Sequence, residues 1–165
     1  MKDYRFELSP ARLFCVAMTL LCMGVIFIFS TENADISSDT SGTVIDALLG
    51  FLRPEFRTLS EAEKLEMIAQ SQHFFRKAAH FSVNLALGYF ASGAVCPRKL
   101  ISGGTAGVLV FCFLHACSDE FHQSFIPGRS GQLSDVLLDF SGALCGVLIS
   151  AGIMQIIKKM KAPRP

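Results

Sequence analysis

Tryptophan is absent from this sequence, tyrosine occurs twice, and charged residues make up only 18% of the 165 residues. Soluble domains usually contain about 25% charged residues, so the shortage of charge argues against an ordinary soluble domain. The formal net charge is only +1, and nothing in the charge balance would attract a nucleic acid. Hydrophobic residues make up 51% of the chain, which excludes a disordered protein.

The cysteines also lack any pattern that would indicate a disulfide framework or a zinc site. No Cys-x-x-Cys pair occurs, and no cysteine lies in a long polar loop. All of them fall inside or at the ends of apolar segments, where free cysteine usually acts as a small packing residue. They are Cys15, Cys22, Cys96, Cys112, Cys117 and Cys145.

The hydrophobic residues form four segments, each close to the roughly 20 residues that cross a hydrocarbon core about 30 Å thick. We therefore predict an all-α fold, a four-transmembrane-helix bundle that forms a single domain over residues 1–165. The first span is predicted to be an uncleaved signal anchor, because the apolar run is long for a signal peptide and no small-x-small cleavage site follows it. The predicted spans cover about residues 11–29, 78–96, 100–117 and 135–157.

The distribution of basic residues predicts the orientation of these spans. Basic residues lie at the start of the chain, in the hinge between spans two and three, and at the end: Lys2, Arg5, Arg12, Arg98, Lys99, Lys158, Lys159, Lys161 and Arg164. An even number of spans places these three regions on one side, which the positive-inside rule makes the cytoplasmic side. We predict a multi-pass protein of the cytoplasmic (inner) membrane with both termini in the cytoplasm.

The first outer loop is predicted to contain short amphipathic helices, over about residues 42–76. Apolar residues at helical spacing give one face, and Pro54 ends the pattern. A second helix is predicted to start at Thr58 or Ser60, because a glutamate follows each of them three residues later, as in a capping box. The two helices are expected to lie on the outer leaflet or over the bundle.

Three of the predicted spans carry polar residues at the same, outer end. An ionisable residue at mid-membrane costs about 2.5–3.5 kcal/mol by insertion scales, so each one needs a partner or a function. Span two has His73, Lys77, His80 and Asn84 on one helical stripe, and span four has Asp135 and Asp139 on one face. The Gly142/Gly146 pair on span four and the Gly103/Gly107 pair on span three are both expected to allow close helix contact.

Spans two, three and four thus direct histidines, carboxylates and one arginine towards a common outer cavity. The candidate binding residues are His80, Asn84, His115, Asp119, Glu120, His122, Gln123, Arg129, Asp135 and Asp139. Simpler roles stay open for some of these side chains, since Asp135 can cap span four and Lys77 can reach the membrane interface. No catalytic residue is assigned, because no His-Glu-x-x-His or nucleophile-elbow pattern is present, and no cofactor or bound metal is predicted.

The run from Ser118 to Gly146 resembles the signature of the VanZ-like family of bacterial membrane proteins. The resemblance rests on an acid pair, His-Gln, Pro-Gly-Arg and Asp-x-x-x-Asp before a glycine-rich span. Two further segments, 76–81 and 28–31, resemble the family's second motif and the end of its first span. One departure is that family members commonly carry Glu-Tyr where this sequence has Val83-Asn84. The resemblance implies a role at the cell envelope and a link to resistance to the glycopeptide teicoplanin, but no named reaction.

Three functions follow as hypotheses, and whether the protein is an enzyme is left open. The first is an envelope protein that binds a lipid head group or a lipid-linked intermediate, with Arg129 contacting a phosphate. The second is a membrane enzyme that modifies an envelope lipid through its His/Asp/Glu cluster, with or without a divalent metal. The third is a small lipid transporter that uses Asp139 or His80 for proton coupling, for which four spans would require dimerisation. The expected partners are the bilayer, an envelope lipid or a glycopeptide-related ligand, and a second copy of the chain.

Overall fold

A computed structural model of the chain describes residues 9–32, 34–95 and 102–161, with the backbone alone at residues 34–40, 158, 159 and 161. These ranges contain five α-helices, one 3-10 helix and no strand, so the predicted all-α class is confirmed. The helices are α1 (Pro10–Thr31), α2 (Ala34–Leu52), α3 (Glu61–Val95), α4 (Gly103–Gln123) and α5 (Leu133–Lys161), and the 3-10 helix covers Pro54–Thr58.

Two helices are long and apolar enough to cross a membrane, α1 over its whole length and α5 over Leu133–Ile157. Leu20 and Ile28 on α1 and Ile156 on α5 are each more than half exposed, which suits acyl chains better than water. These two helices are compatible with a membrane protein. Among the described residues, α3 and α4 do not combine the mean hydropathy and low charge that a membrane-spanning helix needs. The four-span bundle therefore stays a prediction.

The helix α3 is a single continuous helix of 35 residues. It joins the second predicted amphipathic helix to predicted span two, because no glycine or proline interrupts the sequence between Glu61 and Leu87. Its start agrees with the predicted capping box: the Ser60 backbone N–H donates to the Glu63 carboxylate at 2.9 Å, and the Glu63 N–H donates to Ser60 Oγ at 3.4 Å.

The core forms where α3 packs along α5, with α1 and α4 on either side. A Cβ atom added to Gly142 or Gly146 of α5 would meet the backbone of Phe81 or Leu85 on α3, so the two helices touch through their main chains. Apolar residues of all four helices complete this core: Cys22, Ile26, Leu87, Ala91, Val108, Cys112, Ala143 and Val147.

The glycine pair of α4 does not have the packing role that was expected of it. A Cβ atom added to Gly103 or Gly107 would have no neighbour within 4 Å among the described residues. The residues next to this end of α4, 96–101, lie outside the described ranges, and so does the basic hinge with Cys96. The predicted boundary between spans two and three therefore lies outside the described residues.

A second, smaller cluster holds α2 against the first half of α3. Ile45 and Leu49 of α2 and Phe56 of the 3-10 helix are buried together, with Met67 and Phe75 of α3 packed against them. As predicted, α2 ends just before Pro54. Ile45 and Leu49 of its apolar face are buried against protein, whereas Val44 and Leu52 are exposed. This cluster fixes α2 beside the first half of α3, next to the predicted site.

Candidate functional site

A polar cavity of about 200 Å³ lies where α4 ends, α5 begins and the middle of α3 passes them. Helical spacing explains the walls that α3 and α5 provide. On α3, His73, Lys77 and His80 follow one another by four and three residues, so they share one face. On α5, Asp135 and Asp139 are four residues apart and also share one face. The polar cavity is lined by His73, Arg76, Lys77, His80, Glu120, Gln123, Gly128, Arg129, Ser130, Gln132, Asp135, Leu138 and Asp139.

The structure brings most of the predicted binding residues to this cavity. Those that line it are His80, Glu120, Gln123, Arg129, Asp135 and Asp139. Asp119 lies directly behind the wall, where its carboxylate accepts a hydrogen bond from Gln123 Nε2 at 2.7 Å. That these side chains bind a ligand stays a prediction.

Asn84, His115 and His122 do not line the polar cavity. Asn84 is buried, and its Nδ2 donates to the backbone carbonyl of His80 at 3.0 Å. The His122 ring stacks on Phe27 of α1 with 5.3 Å between ring centroids, and the His115 ring lies 6.3 Å from that of Phe111. These three side chains contact neighbouring protein groups outside the cavity lining, and their binding role stays a prediction.

A chain of hydrogen bonds links α1, α4 and the α4–α5 loop beside the cavity. Ser30 Oγ donates to Asp119 Oδ1 at 2.5 Å, and Gln123 donates to the other carboxylate oxygen. Arg129 then donates to Gln123 Oε1 at 3.1 Å and to the backbone carbonyl of Phe29 at 3.0 Å. The guanidinium group is therefore held in place by uncharged acceptors.

The α4–α5 loop owes its shape to a tight turn and a buried glutamate. Gly128 has a φ of 77°, which favours glycine, and the next N–H, that of Arg129, donates to the carbonyl of Ile126 at 3.1 Å. Glu120 is buried and accepts from the backbone N–H of Gln132 at 2.7 Å. Burial raises the pKa of Glu120, while the hydrogen bond from Gln132 acts in the opposite direction.

Two ion pairs of different character cross the cavity between α3 and α5. Lys77 Nζ and Asp135 Oδ1 are 3.1 Å apart, and both side chains are about one-third exposed, so the pair contributes at most about 1 kcal/mol. His80 Nδ1 and Asp139 Oδ1 are 3.7 Å apart, which is too long for a hydrogen bond. Asp139 is only 2% exposed, and its Oδ1 has no hydrogen-bond partner among the described residues.

An apolar groove of about 710 Å³ opens beside the polar cavity, between α1, α2 and the middle of α3. The two spaces share Arg76, His80 and Arg129. The apolar part of the groove lining consists of Val25, Ile26, Phe29, Val44, Ile45, Phe75, Ala78, Ala79 and Val83. A mostly polar space and a mostly apolar space therefore lie side by side and have three lining residues in common.

Two guanidinium groups stand where these spaces meet. Burial, and after it the positive charge of Arg76, lower the pKa of Arg129. In the part of the chain that the structure describes, neither arginine forms an ion pair with a carboxylate. An anion bound beside the two guanidinium groups would offset the repulsion between their positive charges.

Sequence reasoning left several cavity residues out of the predicted set. His73 and Lys77 were on the recognised stripe of α3, and Arg76 follows His73 by three residues, so helical spacing contained the signal. Ser30, behind the cavity wall, lies in the segment 28–31 that resembles the end of the family's first span, but only the folded chain brings it to Asp119.

A sequence model of the family described as VanZ/LLP1 matches residues 14–155, which include every element that lines the two spaces. Comparison with curated proteins found no match. Comparison with solved structures found none either.

Proposed function

The chain belongs to the VanZ/LLP1 family, and from this premise we propose that it is an envelope membrane protein that binds a lipid with an anionic phosphate head group. The observation that carries the proposal is the junction of the polar cavity and the apolar groove at Arg76, His80 and Arg129. An amphipathic ligand matches this junction, because its head group and its acyl chains need adjoining polar and apolar surroundings.

The polar end has the donors that a phosphate requires. Arginine presents a planar fork of N–H groups that pairs with phosphate oxygens. Arg129 Nε is buried without a hydrogen-bond partner among the described residues, and Arg76 is exposed at the mouth. Two of the acids that line the cavity are already engaged, since Asp135 pairs with Lys77 and Glu120 accepts from Gln132. The arginines therefore supply the positive charge that faces an incoming ligand.

The apolar groove offers hydrocarbon side chains that acyl chains can contact. The exposed apolar face of α1 flanks the groove, so a lipid can enter it laterally from the bilayer. Val83 contributes to its wall. The VanZ-like resemblance places a glutamate at this position in other members, so the groove here is apolar where theirs would carry a charge. We expect this chain to accept acyl chains closer to the arginines than such members do.

The test compares lipid retention by the wild type with that of Arg76→Gln and Arg129→Gln. Each protein is purified in mild detergent and titrated with micelles that contain either phosphatidylglycerol or phosphatidylcholine. A hydrogen bond to a charged group contributes about 1.5–3 kcal/mol, so each substitution is expected to weaken phosphatidylglycerol binding by about tenfold or more.

The matched control is Arg53→Gln, which removes an exposed arginine beside the 3-10 helix, away from both spaces. Its affinity for phosphatidylglycerol should equal that of the wild type. Because Arg129 also supports the loop through Gln123 and Phe29, the result for Arg76→Gln decides. Equal affinity of wild type and Arg76→Gln for the anionic lipid would contradict the proposal.

The link to glycopeptides is part of the same proposal. Teicoplanin acts at the envelope, and a protein that holds an anionic envelope lipid can alter how such a drug reaches its target. Expression of the wild type should lower teicoplanin susceptibility relative to cells that express Arg76→Gln at the same level. Equal susceptibility would separate lipid binding from resistance.

A further inference from the structure

Three ionisable side chains from three different helices meet beside the polar cavity, two of them in its wall and Asp119 behind it. His80 of α3, Asp119 of α4 and Asp139 of α5 each offer a ligand atom, and these atoms lie within 4.8 Å of one another. Both aspartates are buried. Two buried carboxylates at this separation need a positive partner, because each has lost hydration and each repels the other.

A second observation concerns the atom of Asp139 that faces this cluster. Its Oδ1 is buried without a hydrogen-bond partner among the described residues, although the His80 nitrogen is 3.7 Å away. Two ligands of one tetrahedral ion, with bonds of about 2.0–2.2 Å, lie about 3.3–3.6 Å apart. The His80–Asp139 separation is thus too long for a hydrogen bond and close to that of two ligands that share an ion.

The surroundings of Asp119 are those of a supported metal ligand. Ser30 donates a hydrogen bond to one of its oxygens and Gln123 donates to the other. The outer-shell partners of ligating carboxylates form such bonds. One imidazole with two carboxylates suits Zn²⁺ or Mn²⁺. We propose that His80, Asp119 and Asp139 bind one divalent transition-metal ion, Zn²⁺ or Mn²⁺, whose remaining positions face the polar cavity.

This site goes beyond the proposed lipid binding, whose positive charges are Arg76 and Arg129 and which has only His80 in common with the metal cluster. The first measurement uses the metals alone. Wild-type protein is stripped with a chelator, equilibrated with Zn²⁺ or Mn²⁺, and analysed for metal content and by calorimetric titration. The expected result is about one ion per chain and a higher unfolding temperature in its presence.

The variants Asp139→Asn and Ser30→Ala are compared with Asp135→Asn as the matched control. Asp135→Asn removes a cavity carboxylate of the same helix that is not part of the cluster, and it should bind metal like the wild type. Asp139→Asn should bind at least about 100-fold more weakly, and Ser30→Ala about 10- to 100-fold more weakly. If Asp139→Asn does not fold, Ser30→Ala decides, because it keeps all three ligands.

The proposal is overturned if the wild type binds neither ion, as a simple His80–Asp139 ion pair would predict. Wild-type affinity in Ser30→Ala, or an equal loss in Asp135→Asn, would overturn it as well. Arg76→Gln should retain full metal binding, so the lipid proposal and the metal proposal can fail separately.

Discussion

Asp119 illustrates at the level of single residues how this fold holds a buried charge. Its carboxylate is 8% exposed and receives one hydrogen bond on each oxygen, from Ser30 and from Gln123. Ser30 itself is fully buried. The hydrogen bond from Ser30 contributes more to the free energy of unfolding than an average hydrogen bond does, because its loss leaves a desolvated charge without one of its partners.

Replacement of Ser30 by alanine should therefore destabilise the protein by about 1–3 kcal/mol. The control is Ser82→Ala, which removes an exposed hydroxyl that donates to the Ala78 carbonyl within α3, and which should change stability by less than about 0.5 kcal/mol. Equilibrium unfolding in mixed micelles measures both values. Similar effects of the two substitutions would show that the Ser30–Asp119 contact contributes little.

At the level of helices, the contact between α3 and α5 depends on glycine. A Cβ atom on Gly146 would lie 2.7 Å from the Tyr89 backbone nitrogen, which cannot move without shifting the helix. By contrast, a Cβ on Gly152 of the same helix would have no neighbour within 4 Å among the described residues. The two positions thus differ in packing and share the same helical backbone.

We expect Gly146→Ala to lower the free energy of unfolding by about 1–3 kcal/mol, since overpacking at this contact forces the helices apart. Gly152→Ala should be neutral or stabilising by up to about 1 kcal/mol, because alanine favours the helix. Unfolding titrations of both variants and the wild type provide the comparison. A destabilising effect of Gly152→Ala as large as that of Gly146→Ala would contradict this explanation.

The start of α3 gives a prediction about pH. Hydrogen bonds from the Ser60 side chain and backbone lower the pKa of Glu63. A lowered pKa in the folded state means that the cap stabilises the helix above the unfolded value of about 4.3 and loses this effect as the pH falls through the folded value. Amide protection in the first turn of α3, corrected for intrinsic exchange, should decrease over that range.

Glu63→Gln is the control for this titration, because glutamine keeps an oxygen for Ser60 but cannot ionise. Its first-turn protection should not change with pH across the same interval. Ser60→Ala should reduce the additional protection, because it removes the hydroxyl and keeps the backbone N–H that donates to Glu63. Loss of protection in Glu63→Gln that parallels the wild type would mean that another group controls the end of the helix.

These local features also show what the sequence could predict. Ser60, Glu63 and Pro54 act on their immediate neighbours, so the end of α2 and the start of α3 followed from the sequence alone, whereas α2 begins at Ala34, before the predicted segment at about residue 42. The continuity of α3 was missed because the apolar pattern changes near residue 76 while no residue there breaks a helix. Helical spacing placed His80 and Asp139 on inward faces. The pairing of Ser30 with Asp119 depends on how α1 docks against α4, which no local pattern encodes.

For the molecule as a whole, the predicted topology distinguishes two ends of the bundle. If all four predicted spans cross the membrane, Ser130 lies outside and Gly103 lies at the cytoplasmic end. If only α1 and α5 cross, both lie outside. Ser130→Cys should therefore react with a membrane-impermeant maleimide in intact cells, and Gly103→Cys should react only after permeabilisation. The wild type measures labelling of the native cysteines, and labelling of Gly103→Cys in intact cells would exclude the four-span topology.

The length of α3 has a consequence for the surrounding bilayer. At 1.5 Å per residue its 35 residues extend about 52 Å, and His80 lies about 23 Å from Val95. In a four-span arrangement with Val95 at the inner boundary, His80 sits about 7 Å below the outer boundary of a 30 Å hydrocarbon layer. A phosphate that reaches Arg129 must then lie below the plane of the neighbouring head groups. The bilayer around the protein would therefore be locally thinned and hydrated on its outer side. In a bilayer of lipids with longer acyl chains this thinning would have to be larger, so lipid binding in the cavity would be weaker.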